Sequence, residues 1–292
     1  MTAALCHLRR AQGRRVVVVA AALLTTSCAA SLMKLPGGPS SPAPDAGTAL
    51  AQATSICGAV RSFAAEIGVS GSVARHRVRG RLLAGFEAPS STRMEAVAPF
   101  GQPLFILVAS GDDATLLLPR DGRILEHGRT TDVIEAIAGV PIGSAELRLA
   151  LTGCPPGEVV LSGAIQRGDL WREIPAGANG WMYLHRDRSS DPWRLVAAFR
   201  NLERIGRQWL VEYRDFQNGL ARSIHMVSVG VGADSPGGSS DGSQYDLHLA
   251  LSQVDINTAL PADTFRVRVP ASAEPITLDE LRQSGPLSVN DR

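Results

Sequence analysis

Residues 93–109 have the sequence RMEAVAPFGQPLFILVA, two apolar runs on either side of a short segment rich in proline and glycine. The runs 94–98 and 104–109 have the composition of strands, and two such runs joined by a Pro/Gly connection predict a β-hairpin. Pro99 and Pro103 have no amide proton for a strand ladder, so pairing is expected to stop between them.

The connection of this hairpin carries Phe100 beside Gly101. The glycine supplies the backbone freedom that a tight turn needs, but a large apolar ring is unusual at a turn, where polar residues dominate. Two interpretations stay open from the residues alone. The ring folds back onto the core, or it is exposed as an apolar probe.

Short apolar runs separated by turn residues continue on both sides of the hairpin. They predict antiparallel strands over 73–76, 78–86, 92–98, 104–109, 114–118 and 122–126, and again over 159–164, 180–185, 193–199, 208–216, 221–229 and 244–254. Apolar residues at helical spacing predict an amphipathic helix over 50–66, two short helices that begin at residues 130 and 144, and one over 278–283. The fold class is therefore mainly β with short helices.

The N-terminus has the features of a bacterial export signal. Four arginines precede the apolar run 16–24, which is too short for a permanent membrane span of about 20 residues. A leucine and small residues directly before Cys28 resemble a bacterial lipobox, which implies cleavage at that cysteine and its acylation. The alternative is an ordinary signal peptide cut nearby. We predict a signal peptide over 1–27, a flexible tether over 28–49, one domain over 50–270 and a tail over 271–292.

The charge balance argues against a nucleic-acid partner. The chain has 29 basic and 28 acidic residues, and loss of the four signal-peptide arginines leaves 25 basic residues, formally −3. Nucleic-acid binding needs a concentrated basic face. Any membrane association would therefore depend on the acyl chains. Cys57 and Cys154 also remain in an oxidising compartment, where a disulfide between them is chemically allowed, although the sequence leaves their pairing open.

No catalytic or metal-binding pattern is present in the sequence. The run 68–72 lacks the last glycine of a nucleophile elbow, and there is no H-E-x-x-H or C-x-x-C motif. His185 and Asp187 share a strand face, but we interpret them as solvated surface because no third ligand is apparent. The sequence predicts no enzyme, cofactor or metal, and we assign no role to four further histidines: His76, His127, His225 and His248.

Three short motifs and their order resemble the LolA/LolB family of periplasmic lipoprotein carriers and receptors. They are VRGR at 78–81, APFGQ at 98–102, and GVPI at 139–142 followed by LR at 147–148 and LTGCP at 151–155. The resemblance covers residues 68–155 well and is weaker after residue 165. It is stronger to the outer-membrane receptor branch, LolB, than to the soluble carrier.

The resemblance implies an incomplete antiparallel β-barrel, with short helices as a lid over an apolar cavity for acyl chains. Expected cavity residues are Leu82, Phe105, Leu107, Leu116, Ile134, Ile137, Leu147, Leu151, Trp181 and Trp209. It implies further that Pro99, Phe100 and Gly101 form a membrane-insertion loop, which favours exposure of Phe100. The expected partners are a LolA-like carrier, acylated lipoproteins and membrane lipid, and the expected location is the periplasmic side of the outer membrane.

Two other functions stay open at this point. A lipid- or glycolipid-binding module of another envelope pathway would use the same cavity for a different ligand. A structural envelope lipoprotein would instead fill its interior with its own side chains. The lining discriminates between them, because an apolar void indicates a lipid site and a filled volume indicates a scaffold.

Overall fold

The computed structural model describes residues 32–74, 76–97, 103–155, 157–177, 179–202, 207–230 and 245–284. Within these ranges there are four α-helices: α1 (Ala46–Ala53), α2 (Thr130–Ala138), α3 (Ser144–Thr152) and α4 (Leu278–Ser284). The strands of the same ranges are β1 (Ser41–Pro42), β2 (Ser62–Val73), β3 (His76–Glu87), β4 (Ser91–Val97), β5 (Phe105–Ser110), β6 (Asp113–Leu118), β7 (Arg123–Arg129), β8 (Ile165–Arg167), β9 (Trp171–Pro175), β10 (Gly180–His185), β11 (Arg194–Leu202), β12 (Arg207–Gln217), β13 (Leu220–Gly230), β14 (Tyr245–Ile256) and β15 (Glu274–Pro275).

These strands form one open sheet in the order β1-β8-β9-β10-β11-β12-β13-β14-β2-β3-β4-β5-β6-β7-β15. Neighbouring strands are antiparallel except β15, which runs parallel to β7. Two-residue strands end the sheet at both edges, and such short edges offer little template for pairing with another chain. The sheet does not close, so the predicted incomplete antiparallel barrel with short helices is confirmed.

The two faces of the sheet differ because apolar side chains alternate along the strands. In β14, Tyr245, Leu247 and Leu249 are buried in the core, whereas Asp246 and His248 between them are partly exposed. Successive side chains in a strand point to opposite faces. We call the face that packs against the helices the inner face and the opposite one the outer face.

The β-hairpin predicted from residues 93–109 is confirmed. β4 pairs with β5 in antiparallel register, with Ala96 opposite Phe105, and the Leu104 amide donates to the Ala96 carbonyl at 2.9 Å. Residues 98–102 of the connection, with Pro99, Phe100 and Gly101, lie outside the described residues.

The helix predicted over 50–66 is wrong beyond residue 53. The structure has α1 at 46–53, a 3₁₀ turn at Cys57–Ala59 and then strand β2 from Ser62. The residues of β2 alternate, with Phe63, Ala65 and Ile67 buried. A period of two therefore prevails over the approximate helical spacing that continued from the preceding segment.

The flexible tether predicted for 28–49 does not describe residues 32–49, which pack onto the sheet. Leu35 is buried in a small cluster with Ala197, Leu210 and Val227 on the outer face. Ala46 and Ala49 of α1 are buried in the main core. The sequence did not predict this because the segment is rich in proline, glycine and serine, and its few apolar residues have no periodicity.

One further predicted strand is absent, and one predicted helix is present. No strand forms over 159–164; instead β8 and β9 follow at 165–167 and 171–175. The predicted C-terminal helix is confirmed as α4, and its Leu281 is fully buried. The described part of the predicted tail thus packs against the edge of the sheet. Among the described helices, none has the length and apolar content that a membrane span requires.

Candidate functional site

The candidate site is the apolar layer between the inner face of the sheet and helices α1 to α3. Nine of the ten predicted cavity residues lie in this layer. Eight are buried there, with at most 6% of each residue exposed, and Leu82 packs against them while partly exposed. The eight buried residues are Phe105, Leu107, Leu116, Ile134, Ile137, Leu147, Leu151 and Trp209.

Trp181 is the exception, and its assignment to the cavity was wrong. In β10 the core residues are Met182 and Leu184. Trp181 is adjacent to Met182 and therefore points to the outer face. An error of one position in the phase of a strand moves a side chain to the other side of the sheet.

The interior is filled by side chains of the chain itself. Large residues such as Leu107, Leu116 and Trp209 are almost completely buried within it. A cleft of about 300 Å³ lies instead on the outer face, lined by residues that include Trp171, His185 and Val196, and by none of the predicted cavity residues. Entry of a ligand into the interior therefore requires the helices to move away from the sheet.

Helices α2 and α3 cover the interior as a pair. Helix α2 continues directly from β7, and the Thr130 amide donates to the Asp112 carbonyl oxygen at 2.9 Å. The hydroxyls of Thr130 and Ser144, each the first residue of its helix, both donate to the carbonyl oxygen of Gly111, at 3.1 and 3.0 Å. Glu146 in the first turn of α3 accepts from the Gly143 amide and forms an ion pair with Arg200 of β11 at 3.1 Å. The ion pair is only partly buried, so solvent weakens it.

The C-terminal end of α3 is held more firmly. The Tyr213 hydroxyl donates to the carbonyl oxygen of Leu149 at 2.7 Å, and its complete burial raises the pKa of the phenol. Directly after the helix, Cys154 forms a disulfide with Cys57, with the Cα atoms 5.4 Å apart. The pairing that the sequence left open is thus present. It fixes the C-terminal end of α3, while the N-terminal end of that helix depends on the Glu146 ion pair and the Ser144 hydroxyl bond.

Helix α1 is fastened to the sheet through Asp45, the residue directly before it. Its carboxylate accepts two hydrogen bonds from Arg172 of β9, at 2.6 and 2.9 Å. Arg172 is buried and lies 4.5 Å from the ring centre of Trp193. The hydrogen bonds from Arg172 lower the pKa of Asp45.

Replacing Asp45 by asparagine is expected to lower the free energy of unfolding by about 1–2 kcal/mol at pH 7, because a buried guanidinium loses its charged partner. Since the folded-state pKa of Asp45 is depressed, its stabilisation is present above the unfolded-state pKa of about 4 and disappears as the pH falls through the folded-state pKa. Urea unfolding at pH 7 and pH 3 tests this. The difference between wild type and Asp45→Asn should shrink at pH 3. Asp279→Asn, at an exposed ion pair, is the control without effect.

Two groups of predicted site residues, Cys28 and the insertion loop Pro99, Phe100 and Gly101, lie outside the described residues.

His185 and Asp187 lie close together, with 3.8 Å between the imidazole and the carboxylate, and Asp187 is largely exposed. Burial lowers the pKa of His185. Asp187 is thus a surface group as predicted, whereas His185 is mostly buried and packs against Trp171, with ring centres 4.2 Å apart.

Sequence reasoning missed one cluster on the outer face. His225 and His248, to which no role was assigned because each is isolated in the sequence, lie on paired strands beside Asp246. The pattern Asp-x-His in one strand was the only available signal. It did not reveal the cluster, because the third member depends on the register between β13 and β14.

Comparisons with known proteins give structural likeness only. No protein-family model and no curated protein matches the chain. The structure is similar to that of a LolA superfamily protein from Nitrosomonas europaea, with TM-score 0.49, 13% identity, and 76% of this chain and 97% of the other covered. A Vibrio parahaemolyticus domain described under outer membrane lipoprotein sorting gives TM-score 0.45 and 12% identity, with 76% and 97% covered. Lipoprotein LppX of Mycobacterium tuberculosis gives 0.30 and 11%, with 74% and 97% covered. All three TM-scores lie below 0.5, so we argue function from this chain's own residues.

Proposed function

We propose that this protein is a lipid-anchored receptor that takes the acyl chains of other lipoproteins into its interior and inserts those lipoproteins into the outer membrane. The observation that carries the proposal is the apolar inner face of the sheet, covered by two nine-residue helices, of which α3 is held by a disulfide and a buried hydrogen bond at its C-terminal end and by a partly buried ion pair at its N-terminal end. The N-terminal signal and Cys28 supply the anchor, and no covalent step is needed.

The energetics of such a site follow from the exchange of apolar contacts. Burial of one acyl methylene contributes about 0.8 kcal/mol, so a chain of sixteen carbons gains roughly 10 kcal/mol when it leaves water. Ile134, Ile137 and Leu147 on the helices give up similar contacts when the helices move. Because the gain and the loss are alike in kind, binding can be reversible, and the direction of transfer is set by small differences in affinity.

The opening motion follows from the attachment of the helix pair. The disulfide and the Tyr213 hydrogen bond hold the C-terminal end of α3. Movement of α3 about this end breaks the Glu146–Arg200 ion pair and the Ser144 hydroxyl bond to Gly111, whereas α2 stays joined to β7. Each of these bonds contributes about 1 kcal/mol or less. The cost of opening therefore lies mainly in the exposure of apolar surface, which an incoming acyl chain covers.

Replacing Arg200 by glutamine is expected to increase the rate of acyl uptake by about two- to fivefold, because it removes a contact that exists only in the closed state. Stopped-flow mixing with a dipalmitoylated cysteinyl peptide measures the rate. Arg282→Gln, which removes an exposed ion pair within α4, is the matched control. An unchanged rate in Arg200→Gln would show that the helix pair does not open at this end.

Two further parts of the proposal concern the partners. The acylated protein is delivered by a soluble LolA-like carrier whose own apolar site faces the rim of the open sheet. Phe100, in the connection between β4 and β5, then enters the membrane and leads the acyl chains into it. A large apolar side chain in a turn is suited to this step, because lipid replaces the water around it.

Native mass spectrometry of the full chain in detergent tests the proposal. Addition of the dipalmitoylated peptide is expected to give a one-to-one complex, and the same peptide without acyl chains is expected to give none. A chain that stays free with both peptides would contradict the receptor function.

The filled interior supports a second candidate. A structural envelope lipoprotein would have the same anchor and sheet but would bind no acyl ligand. The failure of the native mass spectrometry experiment would favour this function.

A further inference from the structure

Three neighbouring strands place ionisable residues side by side on the outer face. In the register of the sheet, Glu212 of β12 lies opposite His225 of β13, and His225 lies opposite His248 of β14. Asp246 stands two residues before His248 and therefore on the same face. These residues lie on the opposite side of the sheet from the apolar interior.

The side chains converge on one point. The Nε2 atom of His225 lies 2.7 Å from Oδ1 of Asp246, and Nε2 of His248 lies 3.7 Å from the same oxygen. The two imidazole rings are stacked, with centres 4.0 Å apart and planes inclined by 18°. Each residue offers a ligand atom, and these atoms lie within 4.8 Å of one another.

The side chains of His225, His248 and Asp246 are only partly hydrogen-bonded to one another. The carboxylate of Asp246 accepts from His225, but the distance to His248 exceeds a hydrogen bond. Nδ1 of His225 is buried and has no hydrogen-bond partner in the described part of the chain. A cation shared by both imidazoles and the carboxylate would take the place of the proton between His225 and Asp246, and His225 would then carry its proton on Nδ1.

We propose that His225, His248 and Asp246 bind a zinc ion. Two imidazole nitrogens and one carboxylate oxygen are a donor set that Zn²⁺ takes in proteins, with further positions left to water. An i, i+2 pair on one strand and the residue opposite on the next strand supply three donors on one face without any rearrangement of the backbone. Asp246 and His248 are each 37% exposed, so the ion has access from solvent.

The surroundings of the set suit a divalent cation. Glu212 is fully buried beside it and is paired with Arg214 at 2.9 Å, so the net charge of these groups with Asp246 is negative. Glu212 also accepts a hydrogen bond from the Met33 amide. The N-terminal segment that contains Met33 therefore lies beside Glu212.

Zinc at this position would join β13 to β14 on the outer face, independently of the acyl site. Its role is therefore structural, since it fixes the register of two strands whose inner faces line the interior. The proposal does not depend on the receptor function, and each can fail without the other.

Equilibrium binding of Zn²⁺ to the full chain in detergent, without a histidine tag, tests the proposal. One zinc ion per chain is expected by native mass spectrometry, with a rise in the midpoint of thermal unfolding. Co²⁺ in place of zinc should give the visible absorption of a low-symmetry site. His248→Gln and Asp246→Asn should each weaken zinc binding by at least about tenfold. Both side chains are partly exposed, so the variants are expected to fold, as circular dichroism would check.

His127→Gln is the matched control, because His127 also lies beside an aspartate, Asp113 at 3.3 Å, but has no third ligand among the described residues. It should leave zinc binding unchanged. The proposal is overturned if wild type retains no zinc, if His248→Gln binds it as tightly as wild type, or if His127→Gln weakens the binding equally.

Discussion

Replacing Cys57 and Cys154 together by alanine is expected to lower the free energy of unfolding by about 4–5 kcal/mol. The disulfide closes a loop with a sequence separation of 97 residues. In the chain-entropy account, a loop of about 100 residues corresponds to roughly 4.7 kcal/mol, because the reduced unfolded chain regains the freedom that the bridge removed. Alanine is preferred to serine because Cys154 is buried and a hydroxyl there would need a partner.

Urea unfolding of the oxidised wild type, the reduced wild type and the double alanine variant measures this effect. The reduced wild type and the variant should agree, and both should fall well below the oxidised protein. A loss of less than about 1 kcal/mol would show that the bridge constrains the unfolded chain much less than its span suggests. The single variants are unsuitable, because each leaves a free thiol that can form a bridge between molecules.

The same variant bears on function. The disulfide and the Tyr213 hydrogen bond hold the C-terminal end of α3. Without the disulfide, only the Tyr213 hydrogen bond remains of these two contacts. We expect faster release of a bound acyl peptide as well as lower stability. Faster release at a temperature where both proteins are folded would separate the two effects.

Replacing Phe100 by glutamate is expected to reduce transfer of an acylated lipoprotein into vesicles by about tenfold or more, without loss of acyl binding. Burial of a phenylalanine side chain contributes about 1.5–3 kcal/mol, which corresponds to roughly 10- to 100-fold in a rate or an equilibrium. A carboxylate at the same place adds the cost of dehydrating a charge.

Gln102→Glu is the matched control, since it adds the same charge two residues away and keeps the ring. Transfer is followed by the loss of a fluorescent lipoprotein from the receptor to phosphatidylethanolamine vesicles, and binding is followed by native mass spectrometry. If Phe100→Glu transfers as fast as Gln102→Glu, the ring does not take part in membrane insertion. If it loses acyl binding as well, Phe100 belongs to the interior instead.

Local pattern sufficed for much of the fold. The β4–β5 hairpin followed from two apolar runs around a Pro/Gly connection, and α3 and α4 followed from helical spacing with clear ends. The segment 50–66 failed because its apolar residues fit a helix as well as a strand. Only the pairing of β2 with its two neighbours, β14 and β3, decides between them.

Within the candidate site, the sequence resemblance implied the correct face for most residues. Leu107 and Leu116 are examples, and both are completely buried. Trp181 was assigned to the wrong face, because residues 181–184 of its strand are all apolar and therefore do not show which side chains face the core. The cluster of His225 and His248 was unpredictable, because 22 intervening residues separate its members and only the strand register joins them. Non-local register is set by the whole sheet rather than by any local signal.

The measurement that tests the central claim most directly is quenching of tryptophan fluorescence by a cysteinyl peptide with brominated acyl chains. Bromine quenches only an indole that it approaches closely, and the structure places Trp209 in the interior and Trp181 on the outer face. Quenching should therefore be reduced in Trp209→Phe, with a remainder from Trp193, which also lies in the main core, and it should be fully retained in Trp181→Phe. Quenching that persists in Trp209→Phe but is lost in Trp181→Phe would place the acyl chains outside the interior and contradict the account.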